Sequence, residues 1–329
     1  MSTSPVYARM AVIGCGLIGA SVILAARAAG AVGEVAVADA SEKARARIAA
    51  LGFADLVTAD PAEAVKGADL VVFAVPVMAM SEAARACAPA LGEGVTVTDV
   101  GSVKAAVADA LREALPAHAL VIPGHPIAGT EQSGPDAGFA ELFQNRWVIL
   151  TPQAERPNDP EGAAPYQAAV ERLTDFWTRL GSNVELMDDK HHDLVLAVTS
   201  HLPHLIAYTI VGAAADLEGV TRGEVMKYSA GGFRDFTRIA ASDPTMWRDV
   251  FLSNKDAVLE ILGRFTEDLQ AMSRAIRWGE GDKLFDHFSR TREIRRGIIA
   301  AGQESAEPNF GRDHRPSADN AETPDTKAQ

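Results

Sequence analysis

The segment Gly14-Cys15-Gly16-Leu17-Ile18-Gly19 limits what this chain can fold into more than any other feature. It directly follows the apolar run Met10–Ile13 and opens a stretch, Leu17–Ala29, with apolar residues at helical spacing. A strand that turns through spaced glycines into a helix is the start of a dinucleotide-binding βαβ unit. Gly14 permits the tight turn, Gly16 lets the backbone approach a pyrophosphate, and Gly19 lets helix and strand pack closely. The helix start at Leu17 and Ile18 offers free N–H groups and a partial positive charge to phosphate. Asp39 ends a second apolar run, Val35–Ala38, twenty residues beyond Gly19. A carboxylate there accepts hydrogen bonds from ribose hydroxyls and repels a 2′-phosphate, so NAD is expected rather than NADP. The plainer alternative is a set of turn glycines and an Asp39 that merely caps the helix opening at Ser41.

Further valine-rich runs, Leu70–Val75, Val95–Asp99 and Leu120–Pro123, alternate with helical patterns over Ser41–Leu51, Val77–Leu91 and Val103–Leu115. This alternation predicts an α/β Rossmann-type, doubly wound parallel sheet with helices on both faces. Trp147–Leu150 and Asn183–Leu186 read as two more strands, and Val170–Leu180 as a helix. The polar, proline-bearing stretch Thr151–Pro165 reads as a surface loop. After Met187 strand signals vanish, and Lys190–Leu217, Arg222–Tyr228, Pro244–Gly279 and Asp282–Ala301 read as helices. The expected division is a dinucleotide-binding domain over 1–187, a helical domain over 188–302 and a disordered tail over 303–329.

With 47% apolar and 23% charged residues over 329 positions, the chain has the balance of a folded globular protein. The net charge of −13 argues against nucleic acid as a partner. It also means that an anionic ligand must be held by locally placed cations. Apolar runs such as Leu70–Val77 are too short and interrupted to cross a bilayer, so no membrane is expected. Two cysteines far apart, Cys15 and Cys87, argue against a disulfide framework and for a cytoplasmic setting.

Several segments place polar groups where folding alone would not. Val75-Pro76 should line the cofactor crevice, since ligands lie at the carboxyl ends of parallel strands; a proline-started helix fits equally well. In Asp99-Val100-Gly101-Ser102-Val103-Lys104, Ser102 reads as a site residue or as a helix N-cap. Gly124-His125-Pro126-Ile127-Ala128-Gly129-Thr130-Glu131 fixes a histidine between glycine and proline at the rim of the sheet. His125 there is a candidate general base, because imidazole titrates near neutral pH. In Ser200-His201-Leu202-Pro203-His204 two histidines share a helix face, and Pro203 should kink the helix by removing the bond to Thr199. His191 and His192, adjacent on a helix, are expected to face solvent, and no metal site is expected because no ligand spacing fits one. Finally, Gly231-Gly232-Phe233-Arg234-Asp235-Phe236-Thr237-Arg238 combines close backbone approach at Gly231 with a guanidinium that can grip a carboxylate. Asp235, three residues earlier, could orient Arg238, or the two could form an ordinary surface ion pair.

GCGLIG, Asp39, DVGSVK, GHPIAGTE, SHLPH, GGFRDFTRIA and SDPTMWRD occur here in the order seen in prephenate and arogenate (cyclohexadienyl) dehydrogenases, and the resemblance runs from about residue 8 to about 300. It implies NAD-dependent oxidative decarboxylation of a cyclohexadiene acid in tyrosine biosynthesis. By the same resemblance His125 is the catalytic hydrogen-bond acceptor and Ser102 positions it and the substrate hydroxyl. Arg238 binds a substrate carboxylate, and His204 and Glu131 belong to the same pocket; His201, on the helix face of His204, reads as a further substrate-binding candidate. It also implies a homodimer joined through the helical domain. Some relatives add a chorismate mutase or a regulatory domain; neither is expected here. Two other readings stay open: a 3-hydroxyacid dehydrogenase-like oxidoreductase, which would need a catalytic lysine in the helical domain, and a non-catalytic NAD-sensing module.

Overall fold

The computed structural model describes residues 4–130, 132–153, 160–216 and 231–300. The first part alternates as predicted. Strands β1 (Tyr7–Ile13), β2 (Val32–Ala38), β3 (Leu56–Thr58), β4 (Leu70–Phe73), β5 (Thr96–Asp99) and β6 (Leu120–Val121) form one parallel sheet in the order β3-β2-β1-β4-β5-β6. Helices α1 (Leu17–Ala28), α2 (Glu42–Leu51), α3 (Pro61–Val65), α4 (Met80–Cys87) and α5 (Ala105–Ala114) connect them. β3 and α3 escape a periodicity reading because each is so short.

Strand alternation builds two cores from one sheet. Met10, Val12, Val35, Val37, Leu70 and Val72 pack on one side with α1 and with α6 (Pro160–Arg179). Ala11, Ile13, Ala36, Val71, Phe73 and Val97 pack on the other with α3, α4 and α5. Burial of both faces explains the unbroken apolar runs. The order reverses between β1 and β4, so a crevice opens at their carboxyl ends.

Three differences from the sequence-based expectation matter. Gly124–Pro126 does not extend the parallel sheet. It forms β7, antiparallel to β8 (Trp147–Leu150), which pairs in parallel with β9 (Asn183–Leu186) in a separate three-stranded sheet. Ile122 makes the last ladder bond to Val97; Pro123 has no N–H to continue it and the chain turns away. The loop expected over Thr151–Pro165 gives way at Pro160 to α6. That helix accommodates Pro165 at the loss of one backbone bond.

Beyond β9 the described elements are helical: α7 (Asp189–Leu196), α8 (Leu202–Asp216), α9 (Gly231–Thr237), α10 (Pro244–Ser253), α11 (Lys255–Trp278) and α12 (Gly281–Ala300). Between α7 and α8 one widened π turn, Ala197–His201, precedes Pro203, which is the form the expected kink takes. The continuous stretch Asp189–Asp216 is the third difference: by length and composition it could cross a membrane. A search for contiguous apolar letters passes over it, because histidines, Ser200 and Thr199 interrupt the run. It carries the buried His192, Asp193 and His201, and a core helix passes the same test. The chain divides into two compact units, Met1–Leu262 and Gly263–Gln329. The candidate site lies within the first. The helices expected at Arg222–Tyr228 and the tail 303–329 fall outside the described residues.

Candidate active site

The glycine motif does what its spacing predicts. Gly14 has φ of +87°, and a Cβ there would meet the Ala74 carbonyl and the Val75 side chain at 2.8 Å. A Cβ on Gly19 would stand 2.4 Å from the Gly14 carbonyl, whereas one on Gly16 would meet nothing within 4 Å. Gly16 thus faces open space at the helix start. No side chain caps α1 there and no acidic residue occupies its first turn, so its N–H groups are left for an anion. Leu17 is buried and Ile18 half-buried; Val75 flanks the turn and Pro76 is exposed at the rim. Asp39 accepts the Cys15 N–H and the Ser41 N–H, one on each oxygen and both at 2.9 Å. Each oxygen keeps a lone pair for a ribose hydroxyl. The Ser41 helix is capped by Ser41 itself, whose hydroxyl accepts the Ala44 N–H, so Asp39 is not its cap. Burial and the Asp39 charge push the Cys15 thiol up to about 12, which leaves it an inert, neutral part of the turn.

A second cluster stands at the carboxyl end of β5 and in β7. Asp99 and Lys104 are fully buried and ion-paired. Asp99 also accepts the Gly101 N–H at 2.7 Å and the Gly124 N–H at 3.1 Å, and Lys104 Nζ donates to the Gly124 carbonyl at 2.6 Å. This clamp ties β7 to β5 and fixes the residue before His125. A side chain at Gly124 would press on the Asp99 carbonyl at 3.0 Å and the Thr98 hydroxyl at 3.1 Å.

His125 is buried, and its Nδ1 lies 2.9 Å from Nε2 of His192. His192 Nδ1 lies 2.9 Å from Asp193 Oδ1. His192, expected on the solvent side, is therefore a core residue of the site, while His191 is exposed. Neighbouring residues on a helix point about 100° apart, which lets His192 turn inward while His191 faces solvent. Asp193 also receives the Lys104 and Ala105 N–H groups at 2.7 and 3.0 Å. It thereby caps α5, the role that Ser102 was a candidate for. Burial first, then the His192, Lys104 and His201 rings and charges, holds His125 well below the ordinary imidazole value. It is neutral at physiological pH and can accept a proton.

On the helical side, His201 is fully buried, with Nδ1 3.1 Å from the Asn254 amide, which also donates to the Asp193 carbonyl at 2.8 Å. Burial lowers His201 to about 4, while the Ser102 backbone carbonyl works in the other direction. Ser102 is half-buried beside these rings, and among the described residues no hydrogen bond joins its hydroxyl to His125. His204 stacks on Trp247, with centroids 3.6 Å apart, and its Nδ1 donates to the Ser200 carbonyl at 2.9 Å. Burial and the nearby Arg238 guanidinium lower His204. Trp247 packs with Val103 and Val250, which binds the Ser102 segment to α10.

Arg238 opens a short 3₁₀ turn, Arg238–Ala241, held to α8 by the Tyr208 hydroxyl donating to the Ser242 carbonyl at 2.7 Å. The Asp235 carboxylate stands 3.7 Å from Arg234, both exposed. Gly231 begins α9 and is half-buried. Glu131 lies outside the described residues. The structure thus groups Ser102, His125, His201, His204 and Arg238 as a chain of neighbours rather than as one contact set. It adds His192, Asp193, Asn254, Asp99 and Lys104, which the sequence reading had not assigned to the site. The helical spacing of His192 with Leu196 and of Asp193 with Ala197 was the available signal.

Residues 22–186 match the family described as prephenate dehydrogenase, nucleotide-binding domain, and residues 188–290 match prephenate dehydrogenase, dimerization domain. A cyclohexadienyl dehydrogenase of Zymomonas mobilis is 46% identical over 290 residues, covering 88% of this chain and 96% of its own. A solved prephenate dehydrogenase from A. aeolicus, in complex with hydroxyphenyl propionate and NAD+, superposes with a TM-score of 0.80 at 31% identity, covering 88% of this chain and 98% of that one. A solved arogenate dehydrogenase from Synechocystis superposes with a TM-score of 0.70 at 25% identity, covering 88% and 99%.

Proposed function

The chain belongs to the prephenate dehydrogenase family, and from that premise we propose that His125 takes the proton from the ring hydroxyl of a cyclohexadiene acid while Arg238 holds a carboxylate of the same substrate. As a member of this family it is an NAD-dependent dehydrogenase of tyrosine biosynthesis that acts on prephenate, arogenate or both.

The crevice residues fit the cofactor: Gly16, on the tight turn that Gly14 and Gly19 permit, leaves room for a pyrophosphate, and Asp39 keeps acceptors for the adenosine ribose. NAD+ held by this crevice would supply the acceptor for the hydride that leaves the carbon bearing the hydroxyl. The remaining work belongs to the protein. The neutral His125 ring takes the hydroxyl proton, and that O–H electron pair forms the new C=O bond as the hydride leaves the same carbon. The ring carboxylate leaves as CO2, and the pair from its C–C bond restores aromaticity. Arg238 fixes the anion; His204 and the Ser102 segment border the ring, and Asp235 and Gly231 complete the proposed pocket. Positioning and one base suffice for such a step. The observation that supports this reading best is a buried, neutral imidazole on the rim of the sheet, with one nitrogen already engaged.

We also place a domain division at 187/188 and a homodimer on the helical half. The exposed apolar residues Ile210 and Val211 on α8, and Ile276, Trp278, Phe285 and Phe288 on α11 and α12, are surfaces that a second copy would cover. The cytoplasm is the compartment that fits the substrate and cofactor. NADH formation followed separately with purified prephenate and purified arogenate tests the reading. NADH formation and CO2 release with at least one of them is the expected result. Oxidation of simple 3-hydroxyacids without CO2, or NAD binding with no turnover of either acid, would overturn it.

A further inference from the structure

We propose that His192 and Asp193 are positioning residues, which fix the proton on Nδ1 of His125 and so present its Nε2 lone pair to the substrate hydroxyl. This rests on the reading of His125 as the base. The argument follows the protons along the chain. A carboxylate only accepts, so the His192 Nδ1 facing Asp193 Oδ1 at 2.9 Å carries a hydrogen. A neutral His192 then has a bare Nε2, which is the atom facing His125 Nδ1 at 2.9 Å. That nitrogen of His125 must be the donor, and the lone pair is left on Nε2. Each link determines the next, and neither ring keeps a choice of tautomer.

The far end of the chain is held firmly. The Asp193 carboxylate accepts the N–H groups of Lys104 and Ala105, and the Asp193 carbonyl accepts the Asn254 amide. The negative charge therefore cannot swing away from His192. In the reaction the substrate O–H bond breaks, its proton bonds to Nε2 of His125, and its electron pair forms the C=O bond as the hydride leaves. The positive charge so formed would otherwise sit in a dry pocket beside Lys104 and His201. Through His192 it gains a carboxylate two hydrogen bonds away, without that carboxylate touching the substrate. A buried base oriented through its second nitrogen by an acceptor is the general logic of such relays.

The test compares His192→Leu, His192→Gln and His125→Asn in the full chain, each checked for folding by melting temperature and for NAD affinity by titration. His192→Leu removes the acceptor for His125 Nδ1, and kcat should fall at least tenfold with substrate KM and NAD affinity within about twofold. His192→Gln restores an amide oxygen near the lost Nε2 and should recover part of that kcat. A residue that merely fills space would show neither the kcat-against-KM split nor the rescue. A folded His192→Leu with wild-type kcat overturns the proposal. If His125→Asn also keeps its turnover, the base assignment itself fails, which is a separate result. Should His192→Leu not fold, 15N NMR of labelled wild-type protein decides: a His125 proton on Nδ1 supports the relay and a proton on Nε2 overturns it.

Discussion

The two ends of the proposed substrate site are built in opposite ways. At the sheet rim His125, His192, Asp193, Lys104 and Asp99 are all buried, and hydrogen bonds from β5, β7, α5 and α7 converge on them. In the segment Gly231–Ala241 no residue is buried, Arg234 and Asp235 are exposed, and Arg238 is half-buried. The contrast follows from what each end must do. A base works best when neutral, and an imidazole pays little for burial because it can shed its proton. A guanidinium cannot shed its charge, and burying one costs several kcal/mol unless a counter-charge comes with it. Keeping the arginine segment near water lowers that cost.

Replacing the base is expected to have the largest effect. His125→Asn should reduce turnover by about 10²–10⁴-fold, with KM for substrate and NAD within about twofold. Steady-state kinetics in both substrates measures it, and unchanged kcat would remove His125 from the chemistry. Next comes the clamp behind it. Lys104→Met leaves the fully buried Asp99 without its cation, which should cost ~3–5 kcal/mol of stability. Arg234→Met, at the exposed pair with Asp235, should cost no more than ~1 kcal/mol. Denaturant melts of the two variants test the contrast directly: equal losses would mean that the rim is not the dry region described. A smaller effect is expected at the anion end. Arg238→Gln should raise substrate KM about 10–100-fold, the equivalent of ~1.5–3 kcal/mol, and change kcat less. A fall in kcat at constant KM would place Arg238 in the transition state rather than in binding.

The same division decides what could be read from the letters. The dinucleotide half is legible because its rules are local: a Gly14 that needs positive φ, a Gly19 with no room for a Cβ, and an Asp39 at a strand end each leave a mark within the motif. His125 is legible for the same reason, being held between a clamped Gly124 and Pro126. His192 and Asp193 are not, because the face of α7 that turns inward is decided by docking against β7 and α5. Asp193 caps a helix that begins nearly ninety residues earlier, and no window of sequence shows that. The departure of β7 from the parallel sheet is also non-local. Pro123 says where the ladder stops, but only β8 says where the chain goes instead.

The last expected effect is a pH dependence of stability, and it tests how dry the rim is. His125, His192, His201 and His204 are all held below their ordinary value, with burial the largest cause in each. The unfolded chain therefore takes up protons below about pH 6.5 that the folded chain does not. Stability is full above that pH and falls as pH drops, by up to ~1.4 kcal/mol per pH unit for each ring that stays neutral. For His201 the loss ends near its folded value of about 4, where the buried ring is protonated as well. Half-buried His204 contributes less, since water screens it. Chemical denaturation at pH 7.5, 6.0 and 5.0 should give a steepening decline, and His201→Asn should flatten the slope by about one ring's share. Stability that stays flat from pH 7.5 to 5.0 would mean that water reaches these rings in solution, and the rim would then be as wet as the segment around Arg238.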